Sequence, residues 1–352
     1  MNPSTFLLYG ANGYTGELIA RYSQPYQLQP ILAGRNHSAI QTLATNLRLP
    51  YRIFELDDHV ALQNALREVK VVVNAAGPFT QTAKKMVDAC LQTGTHYLDI
   101  NGDLTLFELL KQAYTAAKNS GIMVLPGADF DVVPTDCLAM FLKKLQPDAK
   151  SIQLAFVTLG GRISHGTAMS MLAKLGKGGA VRKNGIIVHV PLGHKRMQLV
   201  LGEKTFFLMS IPWGDISTAH FTTGIPDIET YTATRPYIYK LLKFQSTYNW
   251  LLRTSAVRGW LVRKINQRPA GPTDDQRSKA ICHIWGQVKN ATGNTVTAQM
   301  RCPEGYTFTT MATLPITKKI LDDNYKAGYQ TPASAYGADL AVEVPGVTRW
   351  VE

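Results

Sequence analysis

Three glycines at fixed spacing carry the first chemistry in this chain. Gly10-Ala11-Asn12-Gly13-Tyr14-Thr15-Gly16 follows the apolar run Phe6–Tyr9 and opens a helical pattern. In a strand–turn–helix context Gly10 permits the tight turn, Gly13 lets the backbone approach a pyrophosphate, and Gly16 lets the helix pack close to the sheet. The phosphates would lie at the positive end of the helix, against its free N–H groups. The glycines, with Asn12, Tyr14 and Thr15 between them, are therefore candidate dinucleotide contacts. Without that context they mark only a turn and a helix start. An NAD site usually carries Asp or Glu about 20 residues past the motif, bonded to the ribose 2′-hydroxyl. Here the second strand ends in Ala33-Gly34-Arg35-Asn36, with no carboxylate until Glu55. A guanidinium at Arg35 can pair with a 2′-phosphate, which a carboxylate would repel. The expected cofactor is NADP(H), with Arg35 and Asn36 at its adenosine end; the competing reading is a solvated surface arginine.

Hydride transfer further needs a nicotinamide held against the substrate and a group that polarises the acceptor or supplies a proton. These should meet beyond the carboxyl ends of the strands. Ala76-Gly77-Pro78-Phe79 ends the fourth strand with residues small enough for close cofactor approach, although an ordinary strand-to-helix turn has the same composition. Asp99 and Asn101 end the fifth strand, and Asp129 and Asp131 follow the sixth, so all four can line one cleft. Asp99 is the candidate on the cofactor side and Asp131 the candidate for catalysis. Asp136, after Pro134-Thr135, also suits a helix N-terminus. In the second half His165 and Asp215 are further catalytic candidates, beside Arg182, Lys183 and His220. Ser164 and His165 read equally as helix-entry residues, and Trp213-Gly214-Asp215 as a structural corner. No Ser–His–Asp, HExxH or Cys–His signature competes with the nucleotide reading, and no metal site is expected.

The elements that must position these residues alternate. Strands at Phe6–Tyr9, Pro30–Ala33, Tyr51–Leu56, from Val71, at His96–Ile100 and at Ile122–Leu125 are separated by helices, including one over 104–119. The continuous apolar start at Val71 suits a strand buried on both faces. Six such units predict an α/β fold, a Rossmann-type doubly wound parallel sheet. Beyond Pro126 the rhythm changes. Strands are expected at Ser151–Val157, Ile186–Val190, Thr205–Ile211 and Ile228–Thr232, with a helix over Gly166–Leu175. Ala280–Val288, the turn Asn290–Gly293, Thr295–Arg301 and Tyr306–Leu314 read as an antiparallel meander. A second α+β domain on a mixed or antiparallel sheet follows.

The 352 residues carry 37 Lys+Arg and 25 Asp+Glu, a formal charge of +12. Residues 1–127 are almost neutral, whereas Arg235–Arg268 holds eight basic residues and no acidic one. The excess charge is thus a local patch, and no nucleic-acid recognition module accompanies it. Its aromatic residues suggest two amphipathic helices broken near Ser255, serving as a cover for the domain, a dimer contact or a membrane-surface face. The longest stretches free of charge are too short for a spanning helix, which needs roughly 17–25 apolar residues. Scattered cysteines and the absence of a basic leader point to a cytoplasmic protein, peripheral to the membrane where 235–268 serves as a membrane-surface face.

Asn74-Ala-Ala-Gly-Pro-Phe79, Gly94-Thr-His-Tyr-Leu-Asp99, Phe130-Asp-Val-Val-Pro-Thr-Asp136, Ile211-Pro-Trp-Gly-Asp215, Gly271-Pro272 with Arg277, Trp285-Gly286 and Pro303-Glu-Gly-Tyr306 recur in order with the glycine motif and Ala33-Gly-Arg35. In these pieces the chain resembles the saccharopine dehydrogenase-like NADP-binding oxidoreductases, especially the trans-acting enoyl reductase-like branch. The resemblance implies a split Rossmann domain, residues 1–127 completed by a C-terminal helix over 331–352, around a substrate and dimerisation domain over 128–330. It also implies hydride transfer to or from a C=C, C=N or C=O group of a small, lipid-like substrate, tilted toward a polyketide- or fatty-acyl-type enoyl group. In that case hydride reaches the β-carbon and an acid or water protonates the α-carbon. No recognition of an amino-acid dicarboxylate is assignable in the second half, a departure from true saccharopine reductases. The alternative from another class is a cofactor-binding module without turnover, acting as a redox sensor or membrane-associated partner.

Overall fold

The apolar runs of the first 125 residues become parallel strands because both of their faces are covered. The computed structural model describes residues 4–352. Strands β1 (Thr5–Tyr9), β2 (Gln29–Gly34), β3 (Tyr51–Ile53), β4 (Val71–Asn74), β5 (His96–Asp99) and β6 (Met123–Leu125) alternate with helices. These are α1 (Tyr14–Arg21), α2 (His37–Leu47), α3 (His59–Arg67), α4 (Phe79–Thr93), α5 (Leu104–Lys111) and α6 (Tyr114–Asn119). Phe6, Leu7, Leu8, Leu32, Val71, Val72 and Val73 are fully buried, as two-sided cover requires. The sheet runs β3-β2-β1-β4-β5-β6 with every pair parallel. Its order reverses between β1 and β4, the topological position where open α/β sheets bind ligands. The helix expected over 104–119 is two, α5 and α6, interrupted at Gln112 and Ala113.

After β6 the chain builds a second unit from α7 (Val133–Leu145), β7 (Ser151–Leu159), α8 (His165–Lys174), β8 (Gly179–Lys183), β9 (Ile186–Val190), β10 (Arg196–Leu201) and β11 (Lys204–Ser210). It continues with α9 (Asp215–Thr223), β12 (Asp227–Ala233), α10 (Pro236–Leu242), α11 (Gln245–Leu252), α12 (Ser255–Asn266), α13 (Asp274–Lys279), β13 (Ile281–Lys289) and β14 (Thr295–Pro303). The sheet order is β10-β11-β12-β7-β13-β14 and then a C-terminal strand, with only β12 and β7 parallel, so it is mixed. A hairpin of β8 and β9 hangs from β12. Gly286 of β13 leaves room for α7: a β-carbon there would lie 2.8 Å from Leu142 Cδ1. The basic window forms three helices rather than two, since the chain also breaks at Lys243 and Phe244.

The chain then re-enters the first unit. Helix α14 (Gly305–Leu321) packs on α1, and β15 (Gly328–Tyr329) adds a seventh parallel strand beside β6. The strand expected at Tyr306–Leu314 is thus a helix. Its β-branched residues point toward a strand by propensity, but the hydroxyls of Thr309, Thr310 and Thr317 donate to the carbonyls of Gly305, Tyr306 and Thr313, one turn back. That back-bonding lets buried threonines sit in a helix. The helix expected over 331–352 is also corrected. Pro332 does begin a helix, α15 (Pro332–Tyr336), in a Thr331/Ser334 capping box, but it ends at Gly337. The tail turns into β16 (Thr348–Val351), antiparallel to β14. The first unit therefore runs to Val133 and resumes over Gly305–Leu340; the second is Pro134–Glu304 with Ala341–Glu352. The borders differ from 127 and 330 because α14 packs on α1 and because β16 pairs within the second sheet.

Candidate functional site

The turn after β1 is shaped by the three glycines, each for its own steric reason. Gly10 has φ +82°, and a β-carbon on it would lie 2.6 Å from the Ala76 nitrogen. The first turn and the loop after β4 therefore touch backbone to backbone. A β-carbon on Gly16 would lie 2.4 Å from the Gly10 carbonyl oxygen. Gly13 is the extended N-cap of α1, and no side chain caps that helix. The first-turn N–H groups of a helix need partners, and α1 presents them at the carboxyl edge of the sheet. Asn12 Oδ1 lies beside Gly34, which joins the glycine turn to the end of β2. Tyr14 packs edge-on to Tyr306 of α14, their centroids 5.0 Å apart.

At the end of β2, Asn36 caps α2, its Oδ1 accepting from the Ala39 N–H at 3.1 Å. That amide is a local structural group, so Asn36 organises the loop that carries Arg35. Arg35 itself is exposed and forms no ion pair among the described residues. An uncapped helix terminus beside a tight glycine turn, with an open guanidinium at the next strand, fits a dinucleotide bearing a 2′-phosphate.

The loop after β4 is held from below. Asn74, fully buried, accepts from the Ala76 N–H at 3.1 Å and donates to Thr82 Oγ1 and the Tyr97 hydroxyl, each at 3.3 Å. Thr82 Oγ1 in turn donates to the Ala76 carbonyl at 2.7 Å. Ala76, Gly77, Pro78 and Phe79 are all at least partly open to solvent, so this loop can meet a ligand. Asp99 cannot do so as it stands. It is fully buried, its Oδ2 accepting from Tyr97 at 2.7 Å and its Oδ1 from the N–H groups of Asn101 and Gly127 at 3.1 and 2.8 Å. Burial pushes its carboxyl up to about 7 against the pull of those donors. Asp99 therefore acts as a keystone between the loops after β5 and β6, a role that a strand-end position in the sequence does not separate from a cofactor contact. Sequence reading assigned no role to Asn74, Tyr97 or Thr82.

Asp131 stands in the loop after β6, and a β-carbon on Gly102 would lie 2.7 Å from its Oδ2. The structure thus brings the loops after β5 and β6 together, with Asp131 partly exposed and Asp129 and Asn101 buried. Helix α14 clamps the same segment: Thr309 Oγ1 accepts from the Phe130 N–H at 3.0 Å and Thr313 Oγ1 donates to the Ala128 carbonyl at 2.7 Å. The strand propensity of Tyr306–Leu314 conceals the role of both threonines in the sequence.

The candidates of the second unit occupy structural contacts. His165 opens α8 behind the N-cap Ser164, and its Nε2 lies 2.9 Å from Asn266 Oδ1. Asp215 is buried in the first turn of α9 and accepts from Thr135 Oγ1 at 2.6 Å. Asp136 accepts from Thr222 at 2.6 Å in the first turn of α7. Arg182 donates to the carbonyls of Ile216 and Gly185, and His220 Nδ1 lies 2.9 Å from the Ile225 carbonyl. Trp213 packs against Phe156 at 4.7 Å, as a corner residue would.

Residues 6–125 match the saccharopine dehydrogenase NADP binding domain family. A lipid droplet localized protein of Caenorhabditis elegans is 27% identical over 201 residues, covering 50% of this chain and 47% of that protein. A saccharopine dehydrogenase-like oxidoreductase of Mus musculus is 24% identical, covering 51% and 48%. A trans-acting enoyl reductase of Mycobacterium ulcerans is 25% identical, covering 37% and 33%. The chain spans about half the length of the first two of these relatives. Among solved structures, apo saccharopine dehydrogenase (L-Glu forming) of Saccharomyces cerevisiae superposes with a TM-score of 0.69 at 14% identity, over 99% of this chain and 100% of that one. Over residues 6–125 the first unit therefore matches the saccharopine dehydrogenase NADP binding domain family, in a chain that carries the saccharopine dehydrogenase fold and resembles the saccharopine dehydrogenase-like oxidoreductases in sequence.

Proposed function

We propose that the protein is an NADP(H)-dependent oxidoreductase acting on a C=C, C=N or C=O group of a small, lipid-like substrate, with an enoyl group on an acyl chain the leading class. The observation that carries the cofactor half is the open guanidinium of Arg35 beside the uncapped α1. The first turn of α1, beyond Gly13, would face the pyrophosphate with its backbone N–H groups, Arg35 would hold the 2′-phosphate, and the loop Ala76–Phe79 would border the nicotinamide. Bound NADP(H) supplies or accepts the hydride. Asp131 is our candidate for the proton-handling group, because this residue is partly exposed in the loop after β6, at the carboxyl end of the sheet. His165, within reach of Asn266, and Asp215, bonded to Thr135, are the candidates from the second unit. The names of the worm lipid-droplet protein and the mycobacterial enoyl reductase support the lipid-like class. A cytoplasmic location, a homodimer and peripheral membrane contact through 235–268 complete this reading.

The test follows NADPH oxidation over matched enoyl-thioester, imine and ketone substrates. The proposal expects turnover with the enoyl series, reduced about 100-fold or more in Asp131→Asn, within the usual range for loss of general acid–base help. Tight NADPH binding with no turnover on any substrate would favour a non-turnover, redox-sensing or membrane-associated module instead.

A further inference from the structure

Helices α10–α12 present rings and cations to solvent on the same elements. α10 and α11 contain no buried residue, and α12 buries only Ile265, which joins Ala168 and Leu172 of α8. Leu261 and Val262 pack against that cluster, while Trp260, Arg263 and Lys264 are exposed. Phe244 and Trp250 are each 66% exposed and Trp260 55%. A helical cover for the domain would bury such rings.

The charges on these helices are not neutralised by carboxylates. None of the eight basic residues from Arg235 to Arg268 forms an ion pair with a carboxylate among the described residues. Arg253 and Arg258 donate to the carbonyls of Gly176 and Leu175, at 2.6 and 3.2 Å. Lys264 stands 4.5 Å from the centre of the Trp260 ring. Lys240, Lys243, Arg263 and Lys264 are all exposed.

We infer that this face docks on an anionic phospholipid surface, with its rings at the acyl boundary and its cations among the headgroup phosphates. The inference deepens the peripheral membrane contact proposed above and rests on it, but it is independent of the catalytic reading. Charge complementarity selects the occupant. A second copy placed symmetrically on this face would set eight cations against eight. Nucleic acid would answer the cations yet leave Phe244 and Leu241 in water. An anionic interface answers both, because Trp and Tyr favour the boundary and Lys and Arg the headgroups. The helices are 7, 8 and 12 residues long, and no helix among the described residues is long and apolar enough to cross a membrane. They would lie along the surface.

The test sediments the full chain with phosphatidylcholine vesicles, with and without phosphatidylserine, across a salt series, while NADPH binding is titrated on the same preparation. Expected is binding to the phosphatidylserine vesicles that weakens with salt. It should fall at least about tenfold in the combined Lys240→Gln, Lys243→Gln, Arg263→Gln, Lys264→Gln variant, and similarly in Phe244→Ser with Trp250→Ser. NADPH affinity should be unchanged in both, which shows that the variants are folded. Equal binding to phosphatidylcholine alone, no response to the substitutions, or retention on heparin without vesicle binding would overturn the inference. Vesicle binding without NADPH binding would support docking and contradict the oxidoreductase reading, so the two fail separately.

Discussion

At Gly16 the space for a side chain is closed by backbone, since a β-carbon would lie 2.4 Å from the Gly10 carbonyl. A carbonyl in a tight turn cannot swing aside as a flexible side chain can, so Gly16→Ala should destabilise the first unit by about 1–3 kcal/mol and weaken NADPH binding with it. Thermal melts and a cofactor titration read both; a variant with unchanged melting would contradict this steric account. Asp99 makes a second residue-scale prediction. Burial holds its carboxyl at about 7, whereas the unfolded carboxyl sits near its ordinary 3.8. The folded state thus keeps a proton that the unfolded state has released, and stability falls as pH rises from 4 to 7. His96 works in the other direction: burial lowers it to about 4, and its Nδ1 accepts from the Met123 N–H at 2.9 Å, so protonation costs stability as pH falls from 6.5 to 4. Comparing wild type with Asp99→Asn isolates the carboxyl. The variant should gain on wild type between pH 5 and pH 8, by up to about 3 kcal/mol, and parallel stability profiles would rule out a titrating Asp99.

Among the elements, α14 is the least legible in sequence and the most consequential for the site. Its threonines favour a strand by propensity, and only the folded helix, with hydroxyls bonded one turn back, makes them compatible with burial. Two of them reach the loop after β6, where Thr313 donates to the Ala128 carbonyl at 2.7 Å. Thr313→Val keeps the shape and leaves that carbonyl unpaired, so we expect a loss of about 1–3 kcal/mol, seen as a lower urea midpoint with unchanged slope. An unchanged midpoint would mean that α14 does not brace the loop through Thr313. Gly259 offers the opposite sign. It lies within α12 with nothing within 4 Å of an added β-carbon, so Gly259→Ala should stabilise that helix by about 0.4–1 kcal/mol. The parallel strands were readable because Phe6–Leu8 and Val71–Val73 are uninterrupted apolar runs. β8 and β10 mix charged with apolar residues, and the two-residue β15 has no periodicity to read. The tail 341–352 gains its strand only through pairing with β14. Strand-end carboxylates posed the same difficulty at the site, where only burial separates the keystone Asp99 from the partly open Asp131.

For the whole molecule, the +12 charge divides into two different things. The nucleotide-binding unit is nearly neutral, and its telling cation is Arg35, placed beyond β2 with no carboxylate paired to it among the described residues. The bulk of the excess lies on α10–α12 of the second unit, beside exposed rings. Cofactor choice and surface contact are thus assigned to separate parts of the chain and can be tested independently. On the proposed reading, Arg35 selects NADP(H) over NAD(H). Fluorescence titration of the intact protein with NADPH and NADH, repeated on Arg35→Ala, tests it most directly. Wild type should prefer NADPH, and the substitution should weaken NADPH about 10–100-fold, the range for a charge-assisted contact, while NADH is little changed. Equal affinity for the two cofactors in wild type, or a preference that survives the loss of Arg35, would contradict it.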